Sequence, residues 1–160
     1  YWEISRDIRL WEPPVSMHVE FDGGFGQFET DPFNGAYPIN NAWLAGPAYS
    51  WNATDFSKGI TLQALYKYIK DKHEASFQLT AVWYAHFLDN KLSFTGFADF
   101  WREDFTFGEN ETQYVFLSEP QLWYNLTENL SLGGEVEFGF NFGGNEGFEV
   151  MPTLGGKWTF

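Results

Sequence analysis

The sequence predicts an all-β protein, an antiparallel transmembrane β-barrel to which this chain contributes about nine strands. Three observations carry that expectation. Apolar and polar residues alternate with period two, in segments near the 9–11 residues that a tilted membrane strand needs. Aromatic residues reach 21% of the chain while mean hydropathy is −0.35, so rings are plentiful yet diluted by polar neighbours. The rings also gather toward the segment ends. No stretch approaches the roughly 18–20 uninterrupted apolar residues of a spanning helix. The 160 residues are expected to form one domain, 1–160, incomplete on its N-terminal side.

The segments fall near 1–11, 15–25, 42–52, 59–70, 75–88, 92–104, 114–126, 130–142 and 148–160. The first sets Glu3, Asp7 and Arg9 on its polar face, with Arg6 out of pattern on the other. The second carries His18, Glu20 and Asp22. The third and fourth set Trp43, Ala45, Pro47, Trp51, Ala64 and Tyr68 on the apolar side and Lys67 on the polar one. In the fifth, Phe77, Leu79, Ala81, Trp83, Ala85 and Phe87 oppose Ser76, Gln78, Thr80, Tyr84 and His86. The sixth opposes Phe94, Gly96, Ala98 and Phe100 to Asp99, Trp101 and Glu103. The seventh opposes Phe116, Ser118, Pro120 and Tyr124 to Glu119 and Trp123. The eighth opposes Val136, Phe138 and Phe140 to Glu135 and Glu137. The ninth opposes Phe148, Val150, Leu154, Trp158 and Phe160 to Glu149, Thr153, Gly155 and Lys157.

Along the apolar faces the mid-strand positions are small or aliphatic and the ends carry rings, the distribution that a bilayer with two interfaces selects. Trp83 and Tyr66 fit those belts less well. Connections alternate between tight ones (Glu12-Pro13-Pro14, Asp89-Asn90, Thr127-Glu128-Asn129) and wider ones (23–41, 105–112, 143–147). The connection at 53–58 is long for a short turn. Short periplasmic turns and longer external loops characterise outer-membrane barrels. On that pattern Phe160 finishes at the periplasmic rim and Tyr1 starts outside. Nine is odd whereas single-chain bacterial barrels are even, so one or three further strands are expected upstream, completing a barrel of 10 or 12.

Thr153-x-Gly155-x-x-Trp158-x-Phe160 resembles the C-terminal β-signal of outer-membrane proteins, which implies that the barrel-assembly machinery reads this strand. An edge with alternating rings suits capture by β-augmentation. More widely, "YWEISRDIRLW", "HVEFDGG", "GITLQALYKYI", "FTGFADFWRED", "YVFLSEPQLWYNL" and "PTLGGKWTF" resemble a family of Gram-negative outer-membrane proteins grouped with the nucleoside channel Tsx. The resemblance covers nearly the whole chain and implies a 12-stranded barrel in the bacterial outer membrane. No nucleoside-binding motif is present to carry over residue by residue, and fold transfers better than cargo.

If apolar faces meet lipid and lipopolysaccharide, the polar faces line a lumen. The expected pore-lining residues are Asp7, Arg9, His18, Glu20, Lys67, Tyr84, His86, Asp99, Trp101, Glu103, Glu119, Trp123, Glu135 and Glu137. Carboxylates dominate, so such a pore favours cations and neutral polar solutes over anions. Inward Tyr84, Phe97, Trp101 and Trp123 add flat surfaces for stacking. The expectation is passive diffusion of small polar solutes, nucleosides among the candidates. One alternative is a closed barrel that only serves structure or interaction. Another is a soluble jelly roll using Glu135 and Glu137 on carbohydrate.

A net charge of −13 argues against nucleic acid, whose phosphates need clustered Lys and Arg. Zero cysteines remove disulfides and thiolate chemistry. His18, His73 and His86 lack close metal-ligand spacing. No catalytic signature or nucleotide-binding fingerprint is present. No enzyme, metal or cofactor is expected.

Overall fold

The computed structural model describes residues 2–30, 33–72, 76–104, 113–143 and 145–159. The described residues form ten strands joined in a single antiparallel sheet, with no helix among them. In chain order the strands are β1 (Trp2–Ile8), β2 (Val15–Thr30), β3 (Phe33–Asn52), β4 (Lys58–Ile69), β5 (Ser76–Phe87), β6 (Leu92–Glu103), β7 (Gln113–Ser118), β8 (Gln121–Asn125), β9 (Leu130–Phe140) and β10 (Phe148–Trp158). Neighbours in sequence are neighbours in the sheet, from β1 at one edge to β10 at the other.

β7 and β8 share one sheet position. Ser118 pairs with Ala98 and Phe138, while Gln121 pairs with Thr95 and Glu135, so the register is unbroken on both sides. The interruption is Pro120, which has no N–H to give the ladder. Even there the Glu119 amide donates to the Phe97 carbonyl at 3.1 Å and the Val136 amide to the Pro120 carbonyl at 3.1 Å. Ten strands therefore fill nine positions, matching the nine alternating segments.

One expectation is corrected. Residues 23–41 are not a wide loop, because β2 and β3 run on through them as a hairpin pairing Gly24 with Ile39 and Thr30 with Phe33. The β1 pairing stops at Gly23 and the β4 pairing at Ala42, so this stretch is a two-stranded ribbon projecting beyond its neighbours. Gly, Pro and Asn make it look like a loop by composition. The ladder forms nonetheless, with a register shift between Asp22 and Gly24.

Four short connections, 9–14, 53–57, 88–91 and 126–129, share one end of the sheet, called here the short-turn end. The ribbon lies at the other, and the expected wide connection at 105–112 lies outside the described residues. The 53–57 connection is compact for a local reason. The Ala53 amide donates to the Lys58 carbonyl at 2.9 Å, closing the turn. Within it, Asp55 Oδ1 accepts from the Ser57 amide (3.0 Å) and hydroxyl (2.8 Å), which holds the Asp55 carboxyl below the usual carboxylate range.

Period two gives each strand two unlike faces, and the sheet sorts them in an unusual sense. The apolar face is open: Trp43, Tyr49, Trp51, Leu62, Tyr66, Tyr68, Leu79 and Leu132 are all exposed. The polar face is covered: His18, Asp22, Lys67 and Gln78 are buried. Among the described residues, with a single sheet and no helix, it is other side chains of the same sheet that cover them. The sheet therefore curls toward its polar face. Asp99 on β6 interacts electrostatically with Glu20 on β2 and Glu3 on β1, which a flat sheet would hold about 20 Å or more apart at about 4.8 Å per strand.

Rings band the exposed face at both ends. Trp2, Phe21, Trp43 and Tyr68 follow one another across β1–β4 with centroids 5.1, 5.0 and 5.8 Å apart. Phe77, Phe100 and Tyr114 continue across β5–β7 at 6.1 and 5.5 Å. At the short-turn end stand Trp51, Trp83, Phe94, Tyr124 and Trp158. Register explains Trp83: it pairs with Ile60, which pairs with Trp51, so it sits level with that belt despite its place within β5. Tyr66 pairs with Ala45 and with Phe77, so register sets it level with the Phe77 end of the opposite belt. Trp43 and Trp51 are 8 residues apart. That is about 26 Å of strand at about 3.3 Å per residue.

Trp123 needs the absence of a side chain at Gly133. A Cβ on Gly133 would stand 2.1 Å from the Leu122 carbonyl oxygen and 2.8 Å from the Trp123 ring. A Cβ on Gly139, in the same strand, would meet only Phe142 Cβ at 3.5 Å, an ordinary contact. Gly133→Ala is expected to cost about 1–3 kcal/mol by overpacking, and Gly139→Ala no more than about 0.5 kcal/mol. Urea unfolding of the two variants checks this; equal midpoints would contradict the close packing at Gly133.

Candidate functional site

The polar face is built from alternate residues of β1–β10, and its chemistry differs from one side to the other. Near β1 the centre is His18, buried on β2. Its Nδ1 lies 2.8 Å from Asp7 Oδ1 and its Nε2 lies 3.0 Å from Glu20 Oε2. A carboxylate oxygen accepts, so each contact is a hydrogen bond where its ring nitrogen carries the proton. Gln63 reaches in from β4, with Nε2 3.3 Å from the same Nδ1.

The middle of the face is organised by Lys67, only 8% exposed. Its Nζ donates to Gln78 Oε1 at 2.6 Å and stands 4.4 Å above the Trp101 ring. Glu103, Asp22, Asp99 and Glu20 all act on it electrostatically. Its charge offsets part of the repulsion within an acidic group that includes Glu20 and Asp22, which with Glu3 bring carboxylate oxygens within 4.8 Å of one another. The network continues from Gln78 Nε2 to Thr80 Oγ1 (3.1 Å) and from the Thr80 hydroxyl to Asp99 Oδ1 (2.5 Å). Trp101 Nε1 donates to Glu103 Oε2 at 2.9 Å, and Glu103 pairs with Lys72 at 3.5 Å.

Beside these polar groups the same face buries Ala42, Leu44, Leu65 and Ile69 as an apolar cluster. Polarity cannot reveal it, because β3 is apolar on both faces along Ala42-Trp43-Leu44-Ala45. Only register with β4, where Leu44 pairs with Lys67, assigns Leu44 to the covered side.

Across β7–β10 the face is half-exposed and acidic. The unbroken register sets Glu119 opposite Glu137, with Glu135 two residues before Glu137. Glu119 interacts electrostatically with Glu135, Glu137 and Asp99. Glu135 is held by Gln121 Nε2 at 2.9 Å and by the Thr153 hydroxyl at 3.4 Å. Gln121 in turn accepts from Trp123 Nε1 at 3.0 Å, and Lys157 Nζ stands 5.9 Å from the Trp123 ring centroid. At the short-turn end Tyr84 donates to Asn52 Oδ1 at 2.8 Å, and His86 Nδ1 lies 3.0 Å from Ser93 Oγ.

The structure thus brings twelve of the fourteen expected lining residues to one face on the strands themselves, and Glu119 joins them from the interruption between β7 and β8. Arg9 is the exception: it lies exposed beyond the end of β1, at the mouth. Of the terminal motif, Thr153 and Gly155 share the polar face and Trp158 stands on the exposed one, paired with Leu130. Phe160 lies outside the described residues, as does His73.

These features define a protein made of one curled antiparallel sheet whose polar side is covered from β2 to β6 and half-exposed from β7 to β10, and whose apolar side is open. The chain belongs to the DUF5020 family, a domain of unknown function, whose model matches residues 1–160. No curated protein and no solved structure matches it.

Removing the Lys67 charge takes away a buried cation on which Glu103, Asp22, Asp99 and Glu20 all act. Lys67→Met is expected to destabilise the fold by about 3–5 kcal/mol, the loss typical when one partner of a buried ionic group is removed. Lys67→Arg, which keeps the charge, should lose less. Denaturant midpoints followed by near-UV circular dichroism test this, and an unaltered Lys67→Met midpoint would contradict the role given to Lys67.

Proposed function

We propose that the chain forms the wall of a bacterial outer-membrane β-barrel and passes small polar solutes by passive diffusion, without catalysis. The observation that carries this reading is the inverted polarity: an exposed apolar face with ring bands at both ends, and a covered face with Lys67, His18 and the carboxylates. Hydrocarbon favours that arrangement and water disfavours it. A soluble jelly roll would place such rings between two sheets; here they are open on one. The half-exposed carboxylates of β7–β10 suit cations and neutral polar solutes, nucleosides among them, and give the lumen its cation preference. The likeness to the Tsx group supports the same reading without naming the cargo.

A second reading has its own support. The apolar cluster Ala42, Leu44, Leu65 and Ile69, together with Lys67 and Trp101, fills the face along β3–β6. A face filled that way all round would be a closed barrel serving structure or interaction.

Planar-bilayer recording separates the two. The channel reading predicts stepwise currents with cation preference, and Glu135→Gln with Glu137→Gln should bring the reversal potential in a salt gradient closer to zero. Silence across many insertions would support the closed barrel, and an unaltered reversal potential would remove the two glutamates from the conducting path. The membrane setting has a separate test. Ala64 is exposed on the apolar face between the bands. Ala64→Arg should cost about 2–4 kcal/mol in a bilayer, against no more than about 0.5 kcal/mol if that face meets water. Urea unfolding of the vesicle-inserted protein decides which.

A further inference from the structure

A groove of about 800 Å³ lies at the short-turn end, between the end of β1, the β1–β2 turn and the end of β3. Its size falls within the roughly 300–1,000 Å³ of small-molecule sites. Two guanidinium groups, Arg6 and Arg9, line it. Register puts Arg6 opposite Val19, on the apolar face, which made it the residue out of pattern. Both arginines nonetheless border the groove, Arg6 from within β1 and Arg9 from just past its end. Among the described residues neither has a hydrogen-bond or ion-pair partner.

The remaining groups of the groove bias it further toward donors. Asp7, its one carboxylate, is engaged by His18 at 2.8 Å. Asn52 already accepts the Tyr84 hydroxyl through Oδ1, which leaves its Nδ2 hydrogens to give. The Pro14 carbonyl is taken by the Ser50 amide at 3.0 Å. Ile8 and Val15 supply apolar wall. In a chain of net charge −13, a groove holding two unpaired arginines and spare N–H donors is matched to negative charge by local geometry, against the overall field. Bidentate guanidinium contacts are the strong, directional way to hold such a group.

We infer that this groove binds a small organic anion, its phosphate or carboxylate group on Arg6 and Arg9 and its apolar body along Ile8 and Val15. The site stands at the short-turn end, on β1 and the turn that follows it, and does not depend on conduction. A mouth with this site would hold anionic solutes that the acidic wall repels.

Isothermal titration calorimetry on the detergent-solubilised protein at 0.15 M salt, which screens the net charge beyond about 8 Å, tests the inference with phenyl phosphate and with benzoate. Saturable binding of either probe, weakened at least tenfold in Arg6→Gln plus Arg9→Gln, is the expected result, and the tighter probe identifies the anionic group. Both arginines are exposed, so the double variant should keep the wild-type circular dichroism spectrum. Absence of saturable heat with both probes would overturn the site, as would equal affinity in a folded double variant. Because the readout needs no current, the inference can fail in a conducting channel or hold in a silent barrel.

Discussion

Everything in this molecule follows from one constraint: strands with unlike faces are joined in a single layer. A sheet side that must leave water has to be covered, and a second sheet or a helix usually does this. Among the described residues there is neither. The polar side is covered by its own side chains reaching across neighbouring strands, and the curl of the sheet is the geometric consequence. The apolar side has no second layer over it among the described residues.

Covering a polar face with polar groups works only if their hydrogen bonds and charges are met inside, since an unmet buried group costs about 1–3 kcal/mol. The two halves of the face meet this demand differently. From β2 to β6 it is met by packing and pairing: His18 between two carboxylates, Lys67 on Gln78 and over Trp101, and four aliphatic side chains closing the gaps. From β7 to β10 the acids stay half-exposed and are steadied by amides and a hydroxyl, with Glu135 held from Gln121 and Thr153. The first half resembles a filled core and the second a wetted wall. That asymmetry gives both the channel reading and the closed-barrel reading a foothold in the same sheet.

Much of this was legible because period two is a strong signal. Nine segments match nine sheet positions, and the side taken by Glu119, Trp123, Glu135 and Glu137 follows from alternation alone. What was not legible depends on register. Trp83 joins a belt only through its pairing with Ile60, and Leu44 and Leu65 go to the covered side although hydropathy would as readily send them outward. The ribbon of β2 and β3 was hidden for another reason: its Gly, Pro and Asn residues carry a turn signature, while pairing in the ladder depends on backbone groups that composition does not report. Arg6 looked like an error of alternation, and the structure sets it with Arg9 along one groove.

The orientation of the two faces is the claim on which the rest stands, and β4 poses it most sharply, since Leu65 is covered while Tyr66 beside it is open. Nitroxide labels placed singly at 60–66 in the bilayer-inserted protein report contact with molecular oxygen, which concentrates in lipid, and with a water-soluble nickel chelate. The account predicts an oxygen signal of period two that peaks at Ile60, Leu62, Ala64 and Tyr66. Peaks at Thr61, Gln63 and Leu65, or nickel access at the even positions, would contradict it.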